Sequence, residues 1–195
     1  MMKKISENHK PPQQQIEILL KYYHAGQYVN VEKLAILITQ EFPKHASTWK
    51  ILGNALRLNG KRNDSLVAFK KFLELKPQDI TTLNILGNTF QELKKFDQAE
   101  KSYKNVISLD SKYFEAHHNL GTVLRQLGKL EESEESYKRA ISLKPDFIEA
   151  YYNSGITLQM LEKFDDAEAR FKKAITLKSD FALAHYSLGN NFKIK

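Results

Sequence analysis

Apolar and polar positions alternate along this chain with helical spacing, and the pattern repeats. Leu83, Leu86, Phe90 and Leu93 form one stripe at spacings of three and four; Phe96, Ala99, Tyr103, Val106 and Ile107 form the next. Each predicts an amphipathic helix of about fourteen residues, because side chains three and four apart share one helix face. Short breaks such as "LKK", "LGK" and "LEK" separate paired stripes, and "KPQD", "DSK", "KPD" and "KSD" separate one pair from the next. The basic unit is therefore two antiparallel helices joined by a tight turn.

Shifted by 34 residues, the chain aligns with itself. Gly53, Gly87, Gly121, Gly155 and Gly189 share a column, preceded by Leu52, Leu86, Leu120, Ser154 and Leu188. Small residues (Ser65, Ala99, Ser133, Ala167) and aromatic ones (Phe69, Tyr103, Tyr137, Phe171) form two further columns, and each unit closes on Leu75, Leu109, Leu143 or Leu177. A mid-helix glycine costs about 1 kcal/mol against alanine. Its recurrence predicts close approach of the second helix, with no room for a side chain.

Those columns resemble the tetratricopeptide repeat: a 34-residue helical hairpin with Leu-Gly, then a small residue, an aromatic and a closing proline such as Pro77 or Pro145. The resemblance spans Ala46 to Lys195, and more weakly Pro12 to His45, where Leu19 replaces the glycine. It predicts a tail over 1–11, a degenerate hairpin over 12–45, repeats over 46–79, 80–113, 114–147 and 148–181, and a capping helix or truncated repeat over 182–195. The implied fold is an all-α, right-handed superhelical solenoid of antiparallel hairpins.

By that resemblance the first helix of each hairpin lines a concave peptide groove. The residues expected there are Lys50, Asn54, Arg57, Asn84, Asn88, Gln91, His118, Asn119, Arg125, Tyr152, Asn153, Tyr186 and Asn190. Asparagine is a poor helix former and gives a core nothing, so its recurrence here points outward. An amide both donates and accepts, which suits the backbone of an extended peptide. Asn119 and Asn153 match the column from which the repeat domain of O-GlcNAc transferase builds an asparagine ladder, although Ile51, Ile85 and Ser187 interrupt it. The carboxylate clamp of co-chaperones is matched by Lys50 and Asn54 but broken at Ile85, Glu115 and Asn119.

The final helix, 182–195, has no second helix to cover it, so Leu188 and Phe192 are expected to be partly exposed and available for self-association through that helix. An alternative is that the chain is the substrate-binding arm of a larger glycosyltransferase, sulfotransferase or oxygenase.

Composition narrows the chemistry. The 195 residues include no cysteine, which excludes disulfide and thiolate chemistry and suits a cytoplasmic, bacterial setting. The net charge of +7 is scattered, with no basic stripe interleaved with aromatics to predict nucleic-acid binding. No apolar run reaches the roughly 18–20 residues of a membrane span. None of the six histidines forms a helical i, i+4 pair for a metal. His117 and His185 share a column with Trp49 and Tyr151 and are expected to pack, while "EESEE" (Glu131 to Glu135) and Asp165–Asp166 open helices as solvated caps. No Walker loop, GxGxxG or GxSxG is present. The expectation is a non-catalytic protein–protein interaction scaffold, with no cofactor, no metal and a peptide or protein partner.

Overall fold

The computed structural model describes residues 10–194, without the side chain of Ile194. Most of the expected tail, 1–9, lies outside these residues, as does Lys195. The described residues form eleven α-helices and no strand. They are α1 (Gln13–His24), α2 (Tyr28–Glu41), α3 (Ala46–Leu58), α4 (Arg62–Leu75), α5 (Ile80–Glu92), α6 (Phe96–Leu109), α7 (Phe114–Gln126), α8 (Leu130–Leu143), α9 (Ile148–Met160), α10 (Phe164–Leu177) and α11 (Ala182–Ile194). The chain divides into two compact units, with the boundary after Thr82, inside α5.

The turn within each hairpin has one construction. Gly26, Gly60, Lys94, Gly128 and Glu162 fall 34 residues apart, and all adopt left-handed backbone, with φ of +70°, +79°, +57°, +76° and +58°. The next residue's amide reaches back five residues, as from Lys61 to the Leu56 carbonyl and from Lys129 to Leu124. The left-handed residue reaches back three, as from Gly60 to Arg57. This is the Schellman closure, which satisfies orphan carbonyls at a helix end. Lys94 and Glu162 bear the Cβ crowding that glycine avoids, about 1–2 kcal/mol each.

In the first unit the core holds Leu19, Val31, Ala35, Ile38, Leu52 and Leu56. A Cβ built on Gly53 would meet Cε1 of Phe69 at 2.5 Å, so the glycine marks a helix crossing. In α1 the glycine column holds Leu19, and the aromatic column of α2 holds Ala35; both are fully buried in one cluster. The large and small partners have changed places.

In the second unit Gly87, Gly121 and Gly155 lie against Tyr103, Tyr137 and Phe171, with Cβ-to-ring distances of 2.6, 2.9 and 2.5 Å. The small column packs beside them: Ala99, Ser133 and Ala167 are all fully buried, and Ser133 Oγ donates to the Gly121 carbonyl at 2.7 Å. His117 is buried, as its column predicts, and its Nε2 donates to the Ser111 carbonyl. His185 departs from the expectation of packing: it is exposed, because α11 has no following helix among the described residues to cover that face.

One column alternates in chemistry. Glu100 is buried on α6, and its two oxygens accept from Lys104 at 2.6 Å and Lys129 at 2.8 Å. Glu134, one repeat later on α8, accepts from Ser154 at 2.7 Å instead. Ser154 stands in the column otherwise filled by leucine. The other Glu134 oxygen lies 3.5 Å from an Arg170 nitrogen and has no hydrogen-bond donor.

Candidate functional site

The first helices of the hairpins carry the residues singled out for binding. In the first unit Lys50, Asn54 and Arg57 lie on α3 and are half-buried. Lys50 is held at both ends of its chemistry: Nζ donates to the two Asp79 oxygens at 3.0 and 3.2 Å and sits 5.2 Å above the Phe72 ring. Burial pushes the Asp79 carboxyl up, but hydrogen bonds from Thr82 and Lys50 outweigh it and leave the group below its usual range. Lys50 and Asn54 border a pocket of about 480 Å3, with Tyr23, Ile51 and Phe72 among its walls.

In the second unit the structure ties most of the expected residues into one hydrogen-bonded row. Asn88 Oδ1 accepts from the Tyr103 hydroxyl at 2.7 Å and from Asn119 Nδ2 at 3.2 Å. Gln91 Oε1 lies 3.0 Å from the same hydroxyl. His118 Nδ1 pairs with Asn119 Oδ1 at 3.2 Å, and its Nε2 pairs with Asn153 Nδ2 at 3.0 Å. Arg125 Nη2 reaches Asn153 Oδ1 at 3.5 Å. The row thus runs from α5 through α7 to α9, linking side chains about one repeat apart in sequence.

His118 is the hub. Its ring lies 4.8 Å from that of Phe147 and 5.6 Å from that of Tyr137. Its amide neighbours fix the tautomer, since Nδ1–H donates to an oxygen and Nε2 accepts from an NH2. Burial lowers its pKa below the usual histidine value of 6.5, a stronger effect than the opposing bond to Asn119. The linked amides are only partly used: Asn119 and Asn153 each keep a second N–H and a second oxygen lone pair.

The remaining residues are less connected. Asn84 on α5 is half-buried, with its Oδ1 sealed away from any donor. Tyr152 packs against Phe181 at 5.2 Å between ring centres. Tyr186 stands 71% exposed on α11, and Asn190 is half-buried. Of the pair expected to self-associate, Phe192 is exposed, whereas Leu188 packs inward against Leu158, Ala167 and Phe171.

The hydroxyls of Tyr103 and Tyr137 escaped the sequence reading, which treated their column as packing. A fully buried tyrosine needs a partner for its O–H; Tyr103 finds Asn88 and Gln91, and Tyr137 finds Thr122 at 3.0 Å. The signal was present in the alternation of tyrosine with Phe69 and Phe171. Among the described residues no helix is long and apolar enough to cross a membrane, and no group of three or more His, Asp or Glu side chains is placed to hold a metal ion.

A family model described as TPR repeat matches residues 87–124 and 121–161, and one described as tetratricopeptide repeat matches 148–181. No curated protein matches the sequence. Among solved structures, MamA superposes with a TM-score of 0.81 at 26% identity, over 87% of this chain and 93% of that one. YrrB, described as a TPR protein with an unusual peptide-binding site, has a TM-score of 0.82 at 19% identity, over 93% and 92% of the two chains. The first TPR of Spaghetti (RPAP3), bound to the HSP90 peptide SRMEEVD, has a TM-score of 0.59 at 20% identity, over 60% of this chain and 93% of that one. The glycine-to-aromatic crossings and the 34-residue columns have the same meaning as these matches: residues 87–181 are tetratricopeptide repeats, and most of the chain shares the fold of a TPR protein.

Proposed function

We propose that this chain is a non-catalytic scaffold that holds an extended peptide or protein segment along the first-helix face of its hairpins, in a bacterial cytoplasm. The observation that carries the reading is the row Asn88–Asn119–His118–Asn153. Its side chains are fixed by one another, so little rotamer entropy is left to lose on binding. Asn119 and Asn153 each still offer a donor and an acceptor, the pair that a peptide backbone presents at every residue. Arg125, at one end of the row, favours a segment with an acidic group. Two of the structurally similar proteins are described with a peptide-binding site or a bound peptide, which supports the same reading.

The test compares wild type with Asn119→Ala/Asn153→Ala for partner recovery from a cell extract and for binding to an acidic peptide array. A loss of at least ten-fold with an unchanged melting temperature is the expected result. Equal recovery by the two proteins would remove the amide row from the function.

A further inference from the structure

We propose that the cavity lined by α8, α9 and α10 binds a small organic phosphate monoester, with Arg170 as its principal donor. No residue of the amide row lines it, so the inference is independent of the peptide-binding reading. The cavity holds about 430 Å3. Small-molecule sites run from roughly 300 to 1,000 Å3, whereas one water takes only about 30 Å3.

A break in one column builds the site. Glu32 and Glu100 stand in the column of Glu134, and each accepts from a lysine in a hairpin turn, Lys61 at 2.6 Å and Lys129 at 2.8 Å. Lys163 is the matching lysine for Glu134 and lines the cavity, but the ion pairs of Glu134 are with Lys138 and Arg170 instead. Ser154 is the physical cause. It stands where Leu52 and Leu120 accompany the other two glutamates, and its Oγ donates to one Glu134 oxygen at 2.7 Å, drawing the carboxylate toward α9. Lys163 is thereby released to the cavity, and the second Glu134 oxygen lies 3.5 Å from Arg170 Nη2.

Arg170 is itself an addition to its column, which holds Ala68, Ser102 and Ser136 in the preceding hairpins. The Tyr151 ring, 6.0 Å from the guanidinium carbon, and Glu134 position it, yet the Glu134 oxygen beside it takes no hydrogen bond. A planar fork of N–H donors is thus stationed at the cavity and unspent, the geometry that two oxygens of one phosphate require. Lys138 lies one helical turn beyond Glu134 on α8, and Lys173 one turn beyond Arg170 on α10, and both line the cavity. Four cationic side chains (Lys138, Lys163, Arg170 and Lys173) share the walls with two carboxylates, Glu134 and Asp166, which leaves two positive charges to be met. A phosphate monoester carries about −1.5 to −2 at pH 7. Tyr151 and Leu158 are buried and give the organic part an apolar wall that inorganic phosphate leaves unused.

Calorimetric titration of the whole chain at about pH 7.5, where the monoester is a dianion, tests the site. The probes are glycerol 3-phosphate, ribose 5-phosphate and glucose 6-phosphate, with inorganic phosphate and sulfate as references. At least one of the three esters should bind ten-fold or more tightly than inorganic phosphate. Arg170→Ser gives this position the residue type found at Ser136 and Ser102, and should weaken that binding at least ten-fold with the helix content unchanged. Lys173→Ala, at an exposed position, should weaken it in the same direction, while Lys101→Ala, exposed on α6, should leave it as in wild type. Esters that bind no better than inorganic phosphate would overturn the proposal, leaving an adventitious ion only. So would equal affinity in Arg170→Ser and wild type, since the anion would then be held elsewhere. An effect of Lys101→Ala as large as that of Lys173→Ala would do the same, because overall charge would account for the binding.

Discussion

Phe171 lies so close over Gly155 that a Cβ on the glycine would meet ring atom Cε1 at 2.5 Å. The ring is fully buried and has nowhere to go. Gly155→Ala should therefore destabilise the protein by about 1–3 kcal/mol through overpacking, even though alanine is the better helix former. Gly189→Ala, in the same column with open space around it, should gain up to about 1 kcal/mol. Urea melts of the two variants at low micromolar concentration check the contrast; equal effects would mean that the ring does not set the glycine.

Leu19 and Ala35 fill the same two columns in one buried cluster, with the sizes reversed. Leu19→Ala should cost about 2–5 kcal/mol, because it leaves a cavity in a sealed cluster. The double change Leu19→Gly/Ala35→Phe restores the large-against-small order of the other hairpins. It should be more stable than the sum of its single effects implies, with a coupling of at least about 1 kcal/mol in a double-mutant cycle.

Glu100 and Glu134 occupy one column and titrate in opposite directions. The hydrogen bond from Lys104, then that from Lys129, holds the Glu100 carboxyl below its usual 4.5. Its stabilisation is present above pH 4.5 and is lost as pH falls through the lowered value. Burial pushes the Glu134 carboxyl above 4.5, against the opposing pull of Ser154 and Arg170. There the folded state binds the proton more tightly, so this group adds stability as pH falls toward 4.5 and withdraws it as pH rises. Glu100→Gln should cost about 0.5–1 kcal/mol at pH 7 and progressively less as pH falls below 4.5. Glu134→Gln should be neutral or stabilising at pH 7. Denaturant midpoints from pH 3 to 8 separate the two.

His118 should make the protein acid-sensitive in the range where histidines titrate. Its burial keeps the folded pKa below 6.5, so the unfolded chain takes up protons first and stability falls as pH drops below 6.5. Protonation also places a second N–H against the Asn153 NH2, breaking the row at its hub. His118→Gln should flatten the pH dependence between 5 and 6.5 by up to about 1.4 kcal/mol per pH unit, while His45 and His117, whose pKa values are also lowered, keep their share. An unaltered slope would place the titration elsewhere.

Much of the fold was legible because its determinants recur. One glycine is ambiguous, but Gly53, Gly87, Gly121 and Gly155 with an aromatic sixteen residues later imply a crossing. What stayed hidden needed distance. The replacement of glycine by Leu19 was visible, yet its compensation by Ala35 makes sense only once the two columns are known to touch. The left-handed turn column was masked by Lys94 and Glu162. In the site, the residue types on the first helices were readable from their poor fit to a core. Their mutual bonds were not, because His118 finds its partner Asn153 thirty-five residues on, across a helix packing that periodicity alone does not specify.

Within the second unit each helix packs chiefly on the next one or two along the chain, as α7 on α8, α8 on α9 and α10 on α11. Almost every stabilising contact therefore joins segments that are near neighbours in sequence, and the contact order is low. Such chains close only short loops on the way to the native state, which favours rapid folding from any well-formed hairpin. The same locality lets an array lengthen by copying one hairpin, since a new unit meets the surfaces its template already fitted.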